Sequence, residues 1–209
     1  MFFIVALLSQ FTDFDLAISN LFLLDSGRFW LQEYKDLGIQ LHDYPKYFSM
    51  LVGIFFWLNT ITLIACNKFF FKRFLAPKDV IYIATAAIII PVVIWNIREI
   101  SAMHCPRELI EYGGDFTYLR IFDAIPFYWE SGQCSPSAHA SSFLWLGSFL
   151  FIKNASIKKW ILFYLMIFLI CSVQILRGAH FVSHIFYSFA CAHLILSFLY
   201  FKCFKKRTV

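Results

Sequence analysis

Long charge-free runs separated by short polar clusters set the pattern of this chain. Five stand out: YFSMLVGIFFWLNTITLIAC (47–66), VIYIATAAIIIPVVIWN (80–96), ASSFLWLGSFLFI (140–152), WILFYLMIFLICSVQIL (160–176) and IFYSFACAHLILSFLYF (185–201). A helix that crosses a bilayer needs roughly 17–25 apolar residues. Most runs reach the lower end of that range. The third does so only if its helix starts near Pro136, a residue suited to a first turn because its missing N–H is not needed there. A sixth, weaker run, MFFIVALLSQFTDFDLAISNLFLL, is interrupted by Asp13 and Asp15. It reads as a short span followed by an interfacial helix.

Composition supports a membrane reading. The chain is 60% hydrophobic, holds 27 phenylalanines and carries 15% charged residues. A soluble domain carries about 25%. The expectation is therefore one domain over residues 1–209, an all-α integral membrane bundle of six transmembrane helices. No A-x-A site follows the first apolar stretch, which argues against a cleaved signal peptide. No internal repeat stands out.

Lysine and arginine set the orientation. Lys68, Lys72, Arg73 and Lys78 lie in one connection, Lys153, Lys158 and Lys159 in another, and Lys202, Lys205, Lys206 and Arg207 in the tail 202–209. Six spans put all three groups on one face, the cytoplasmic one. Segments 25–46, 97–136 and 177–184 then share the opposite face. The long loop 97–136 is rich in acid: Glu99, Glu108, Glu111, Asp115, Asp123 and Glu130. The net charge of +5 thus reflects topology and gives no reason to expect a nucleic-acid partner.

Of six cysteines, Cys66, Cys171, Cys191 and Cys203 lie in or beside apolar runs and read as small buried hydrophobes. Cys105 and Cys134 share the long loop, where an oxidising compartment would join them in a disulfide.

The same topology gathers polar residues at one membrane face. Arg98 ends the third span, Ser137 and His139 start the fourth, and Arg177, His180 and His184 connect the last two. Ionisable groups beside membrane-embedded segments suggest function. Guanidinium forks match phosphate oxygens. One neutral imidazole can attack phosphorus, and a second, protonated one can donate to the departing oxygen. Ser137 and free N–H groups at a helix start can hold a further oxygen. The set points to phosphoryl transfer. Blander readings stand beside it. Arg98 and Arg177 also sit where arginines snorkel. His180 and His184, four apart, also have metal-ligand spacing, but no carboxylate or cysteine clusters with them in sequence. The expectation is no metal and no cofactor. His193 reads as hydrogen-bonded inside the bundle; His42 and His104 have no assignment.

These residues resemble the type 2 phosphatidic acid phosphatase superfamily, membrane lipid phosphatases with a histidine nucleophile. Its three motifs are Lys-x6-Arg-Pro, Pro-Ser-Gly-His and Ser-Arg-x5-His-x3-Asp. The resemblance covers about the last four-fifths of the chain. REISAMHCP (98–106) places Arg98 at the lysine and Cys105 at the arginine, with Arg107 following Pro106. PSAH (136–139) has Ala138 where glycine is usual. VQILRGAHFVSH (173–184) has Val173 and Gln174 for the Ser-Arg pair, His180 at the nucleophile and His184 for the aspartate. CPRELIEYGG, CSPSAH and RGAHFVSH together are similar to a bacterial branch of the family.

The resemblance implies roles. His180 would form a phosphohistidine and His139 would protonate the leaving oxygen. Arg98, Arg107, Ser137, Ala138 and Arg177 would cradle the phosphate. His184 would accept the other ring N–H of His180, with Asp123 as a carboxylate that could support the pair. The implied protein is a metal-independent lipid phosphatase of a bacterial inner membrane, with its active site at the periplasmic face. Its partners would be membrane lipids and a lipid phosphate substrate: lipid A phosphate, undecaprenyl pyrophosphate, phosphatidate or phosphatidylglycerol phosphate. Two alternatives stay open: a lipid phosphotransferase of the same family, and a non-catalytic protein that binds or transports lipid phosphates.

Overall fold

The computed structural model describes residues 2–70, 72–127 and 129–204, so Lys205, Lys206 and Arg207 of the basic tail lie outside the described residues. The described chain is helical and contains no strand. Nine α-helices follow one another among the described residues: α1 (Phe2–Phe11), α2 (Phe14–Asn20), α3 (Trp30–Glu33), α4 (Lys35–Cys66), α5 (Pro77–Glu99), α6 (Ala138–Leu144), α7 (Gly147–Ile152), α8 (Ile157–Leu176) and α9 (Val182–Phe204). Among the described residues of 100–136, the helical elements are two 3-10 turns, Pro106–Glu108 and Ile110–Tyr112.

Four helices, α4, α5, α8 and α9, are long and apolar enough to cross a membrane. Less than half of each apolar window is buried within the protein. The outward faces stay apolar, as at Phe48, Leu51 and Ile61 of α4, Ile161, Leu165 and Leu169 of α8, and Leu194, Phe198 and Phe201 of α9. Water would not tolerate that surface; lipid does.

The N-terminal run behaves differently. It breaks near Asp13, and α1 is 10 residues long, or about 15 Å of helix, half the ~30 Å hydrocarbon core. Asp15 is buried, and its Oδ1 accepts the Ser183 backbone N–H at 3.0 Å in the first turn of α9. A carboxylate at a helix start opposes the positive end of the helix dipole. Of the two acids that interrupted the apolar run, Asp15 thus ties the N-terminus onto α9, and Asp13 accepts from Arg120 of the long loop at 2.7 Å. The third apolar run is also divided, into α6 and α7. Trp145 at the break is buried, and its indole N–H donates to Ser49 Oγ of α4 at 3.1 Å. Gly147 lets the segment approach α9, since a Cβ there would sit 2.8 Å from Leu196.

The core lies around α5 and α9, the most extensive helix pair. Tyr82 of α5 donates to the Leu196 carbonyl of α9 at 3.0 Å. His193 of α9 pairs with the Tyr164 hydroxyl of α8 at 2.8 Å, as expected of a histidine held inside the bundle. Segment 25–46 is not all loop: α4 starts at Lys35 and runs through Pro45.

The long loop folds over the ends of α5, α6, α8 and α9. A small apolar cluster of Phe29, Leu109, Tyr112 and Phe181 holds it there. The Cys105–Cys134 disulfide closes it, as the cysteine placement anticipated. The Arg107 N–H donates to the Gly178 carbonyl at 2.9 Å. His104 serves this packing, stacked on Phe116 at 3.6 Å.

Gly178 supplies a test. Its φ is +61°, and a Cβ there would lie 2.2 Å from the Phe29 ring. Gly27 also has positive φ, at +75°, but open space around it. Gly178→Ala is expected to lower stability by about 2–4 kcal/mol, combining strain and overpacking, and Gly27→Ala by roughly 1 kcal/mol from strain alone. Thermal unfolding in detergent checks this. Equal losses at the two positions would remove the steric argument.

Candidate active site

Helix ends assemble the site. The Ser137 N–H donates to the His184 carbonyl at 3.1 Å. The Ser188 hydroxyl, one turn further along α9, bonds to the carbonyls of Ser137 and His184, both at 3.0 Å. The start of α6 is therefore fixed against the first turns of α9. His139 and His180 reach one cavity as a result.

That cavity has a volume of about 890 Å³ and lies among α4, α5, α6 and the ends of α8 and α9. Its lining is divided. His42, Lys46, Arg98, His139, Gln174 and His180 form a polar part. Met50, Ile54, Trp57, Leu58, Ile88 and Pro91 form an apolar part between α4 and α5. The size suits a small-molecule or lipid ligand.

His180 lies two residues before α9 and is buried. Its Nδ1 is 3.4 Å from Cys134 Sγ, so the disulfide packs against the ring. Burial first, then the neighbouring His184, His139 and Arg98, hold its imidazole well below the ordinary histidine range, opposed by the Cys134 backbone. A neutral ring is the form that can attack an electrophile.

His139 stands in the first turn of α6. Neither of its ring nitrogens has a protein partner. Its ring stacks on His42 of α4, with centroids 4.5 Å apart and planes 23° from parallel. His42 Nδ1 in turn pairs with Asp43 Oδ1 at 2.6 Å. Arg98, in the last turn of α5, faces the cavity with its guanidinium over Trp95, 5.1 Å from the ring centre.

The other anticipated residues take varied places. Ala138 lines the cavity. Ser137 is fully buried as the N-cap of α6, its Oγ accepting from the Ala140 N–H at 3.4 Å. His184 is buried beside His180 in an edge-to-face contact, centroids 6.0 Å apart, and no hydrogen bond joins the two rings. Arg107 and Arg177 are not among the lining residues. Arg107 is exposed, with Nε 3.9 Å from Glu108. Arg177 ends α8 beside Gly38 of α4. Burial, then the like charge of Arg107, pushes Arg177 below the usual arginine range. Asp123 is occupied by Gln10 and the Arg120 N–H. The buried carboxylate beside the start of α9 is Asp15 instead.

Among the lining residues that had no site role from sequence are His42, Lys46, Trp95 and Gln174. Gln174 is buried, with its amide nitrogen unpartnered. His42 and Lys46 carried a signal, a four-residue spacing continuous with the apolar run of α4. Pro45 between them masked it, since proline usually marks the edge of a helix.

Cys105, Cys134 and His180 bring one ligand atom each within 4.8 Å of one another, which is metal-site spacing. Bonded to each other, the two sulfurs offer no thiolate to a cation.

The depressed His180 has a thermodynamic consequence. The folded chain keeps this imidazole neutral, while the unfolded chain binds a proton near pH 6.5. The unfolded state then holds more protons, so stability is lost as pH falls below about 6.5. The unfolding midpoint in detergent is expected to drop between pH 7 and pH 5, and His180→Gln to flatten that drop. An unchanged slope in the variant would contradict the assignment. Comparison of the chain with protein-family models, curated proteins and solved structures finds no match, so the functional reading rests on this geometry and on the sequence motifs.

Proposed function

We propose that the protein is a metal-independent lipid phosphatase of the type 2 phosphatidic acid phosphatase superfamily. It would act from a helix bundle in a bacterial inner membrane, with the site at the periplasmic face. The observation that carries this reading is the divided cavity. His180, His139 and Arg98 meet at one end, and an apolar trench between α4 and α5 continues from them.

The chemistry follows from the ring environments. The Nδ1 edge of His180 faces the Cys134 sulfur, so Nε2 is the nitrogen free to attack. A neutral imidazole keeps the lone pair it needs. Attack on phosphorus gives a phosphohistidine. His139, with unoccupied nitrogens and protonated once the substrate's phosphate anion lies beside it, gives that proton to the leaving oxygen and later takes one from the attacking water. Arg98 and the Gln174 amide stand where charge develops on the phosphoryl oxygens. His184 fixes the His180 ring by edge contact, not by a hydrogen bond.

Two experiments test the reading. Purified protein in detergent is expected to release phosphate from at least one member of a lipid-phosphate panel. His180→Ala should lower release by about 10³-fold or more, and His139→Ala by roughly 10²–10⁴-fold. EDTA should leave activity unchanged. Lipid binding without release by the wild type would favour the non-catalytic alternative. Transfer of phosphate to a second lipid instead of water would favour the phosphotransferase. For orientation, Thr117→Cys places a thiol at an exposed position of the long loop. It should react with a membrane-impermeant maleimide on intact spheroplasts. Labelling only after lysis would invert the topology.

A further inference from the structure

The α4 face of the cavity has no part in the chemistry above. His42, Lys46, Met50, Ile54 and Trp57 recur at helical spacing and line one side of it. The first two are polar and the rest apolar. His42 is held by Asp43 at 2.6 Å and lies flat against His139. Lys46 follows one turn later.

This arrangement bears on the leaving group, and the step rests on the roles proposed for His180 and His139. If His139 protonates the departing oxygen, the groups around His139 surround whatever that oxygen belongs to. In a simple phosphomonoester, the next atom is carbon, the start of an apolar chain. An imidazole–carboxylate pair and a lysine are poor company for a chain. They suit a second phosphate, whose oxygens accept charge-assisted hydrogen bonds. The apolar lining begins further along α4, Met50 about 6 Å and Trp57 about 16 Å beyond Lys46 at ~1.5 Å per residue. Along α4 the His42–Lys46 pair thus comes first, beside the His139 ring, and the apolar trench follows.

We propose that His42, positioned by Asp43, and Lys46 form a second phosphate subsite, and that the substrate is a lipid diphosphate whose terminal phosphoryl group is transferred. His180 Nε2 forms a bond to the terminal phosphorus. The bond from that phosphorus to the bridging oxygen breaks, and its electron pair stays on the bridging oxygen. This oxygen takes the proton of His139 and leaves as the lipid monophosphate, held by Lys46 and His42. Water then attacks phosphorus. The N–P bond breaks with its pair returning to Nε2, the proton of the water passes to His139, and inorganic phosphate departs.

Farnesyl diphosphate and farnesyl monophosphate, which share one chain, provide the test. Wild-type kcat/KM is expected to favour the diphosphate by at least about tenfold, the scale of one charge-assisted contact. Lys46→Met should pull this ratio toward one. His42→Phe, which retains an aromatic ring against His139, should also reduce it. A ratio unmoved by both variants, or a wild-type preference for the monophosphate, overturns the proposal. Calorimetric binding to His180→Ala protein separates the subsite from the catalysis. That variant should bind the diphosphate about tenfold more tightly than the monophosphate, and addition of Lys46→Met should erase the difference. No binding preference sinks the subsite whatever the wild type hydrolyses. A clear preference in a protein that releases no phosphate sustains the subsite and removes the phosphatase. Inorganic diphosphate should compete at least about tenfold less well than the farnesyl compound; equal competition would remove the lipid from the proposal.

Discussion

The tie between the starts of α6 and α9 is the constraint on which the site depends. One backbone N–H of Ser137 and one hydroxyl of Ser188 bind two carbonyls between these helices. Both groups are buried. In an apolar bundle such bonds have no water to compete with them, and breaking one would strand a polar group. The bonds therefore fix the relative height of the helices. His139 is carried by one and His180 leads into the other, so the separation of the two imidazoles is a property of the backbone. The surrounding contacts reinforce this frame. Asp15 holds the Ser183 N–H, and the Arg107 N–H holds the Gly178 carbonyl. The disulfide fixes the loop that enters α6.

The frame also explains why the polar part of the cavity sits where it does. Charged and imidazole groups cluster at helix ends, where backbone groups need partners and solvent is near. The middle of the bundle is left to Tyr82, Ile83, Ile90, Ile94 and Phe189. A ligand entering between α4 and α5 would meet both environments along its own length. If His180 is the nucleophile proposed above, burial acts on it in a useful direction: it disfavours the proton that would block attack, and Arg98 nearby works the same way.

Much of the fold was legible because a bilayer imposes a simple code. The charge-free runs at 47–66, 80–96, 160–176 and 185–201 each fall within a long helix. The cysteine pair and the convergence of Arg98, His139 and His180 followed from placing helix ends on one face. What stayed hidden depended on local geometry. Arg177 and Arg107 look equivalent to Arg98 in sequence. Gly178, in a left-handed conformation, turns the chain between α8 and α9, and Arg177 finishes beside Gly38 of α4, outside the lining residues though its charge still reaches His42 and His139. Gln174, one turn earlier on α8, faces inward instead. The early turns of α4 were hidden for another reason. Lys35, Asp36, His42, Asp43 and Lys46 have the polarity of a loop, and only packing shows that they continue the helix.

These two surprises compensate each other. On the resemblance drawn from sequence, Gln174 puts a neutral amide in the cavity lining where the family pattern has arginine. Lys46, one turn after His42, brings a positive charge to the cavity from α4, outside the three motif segments. If the roles proposed above hold, positive charge on the α4 side acts on the group that leaves more than on the transferred phosphoryl group. His42 and Lys46 are only partly buried, so solvent moderates that effect. On that proposal the departures from the family pattern would re-aim the site, and the polarity of the leaving group would be the property it selects.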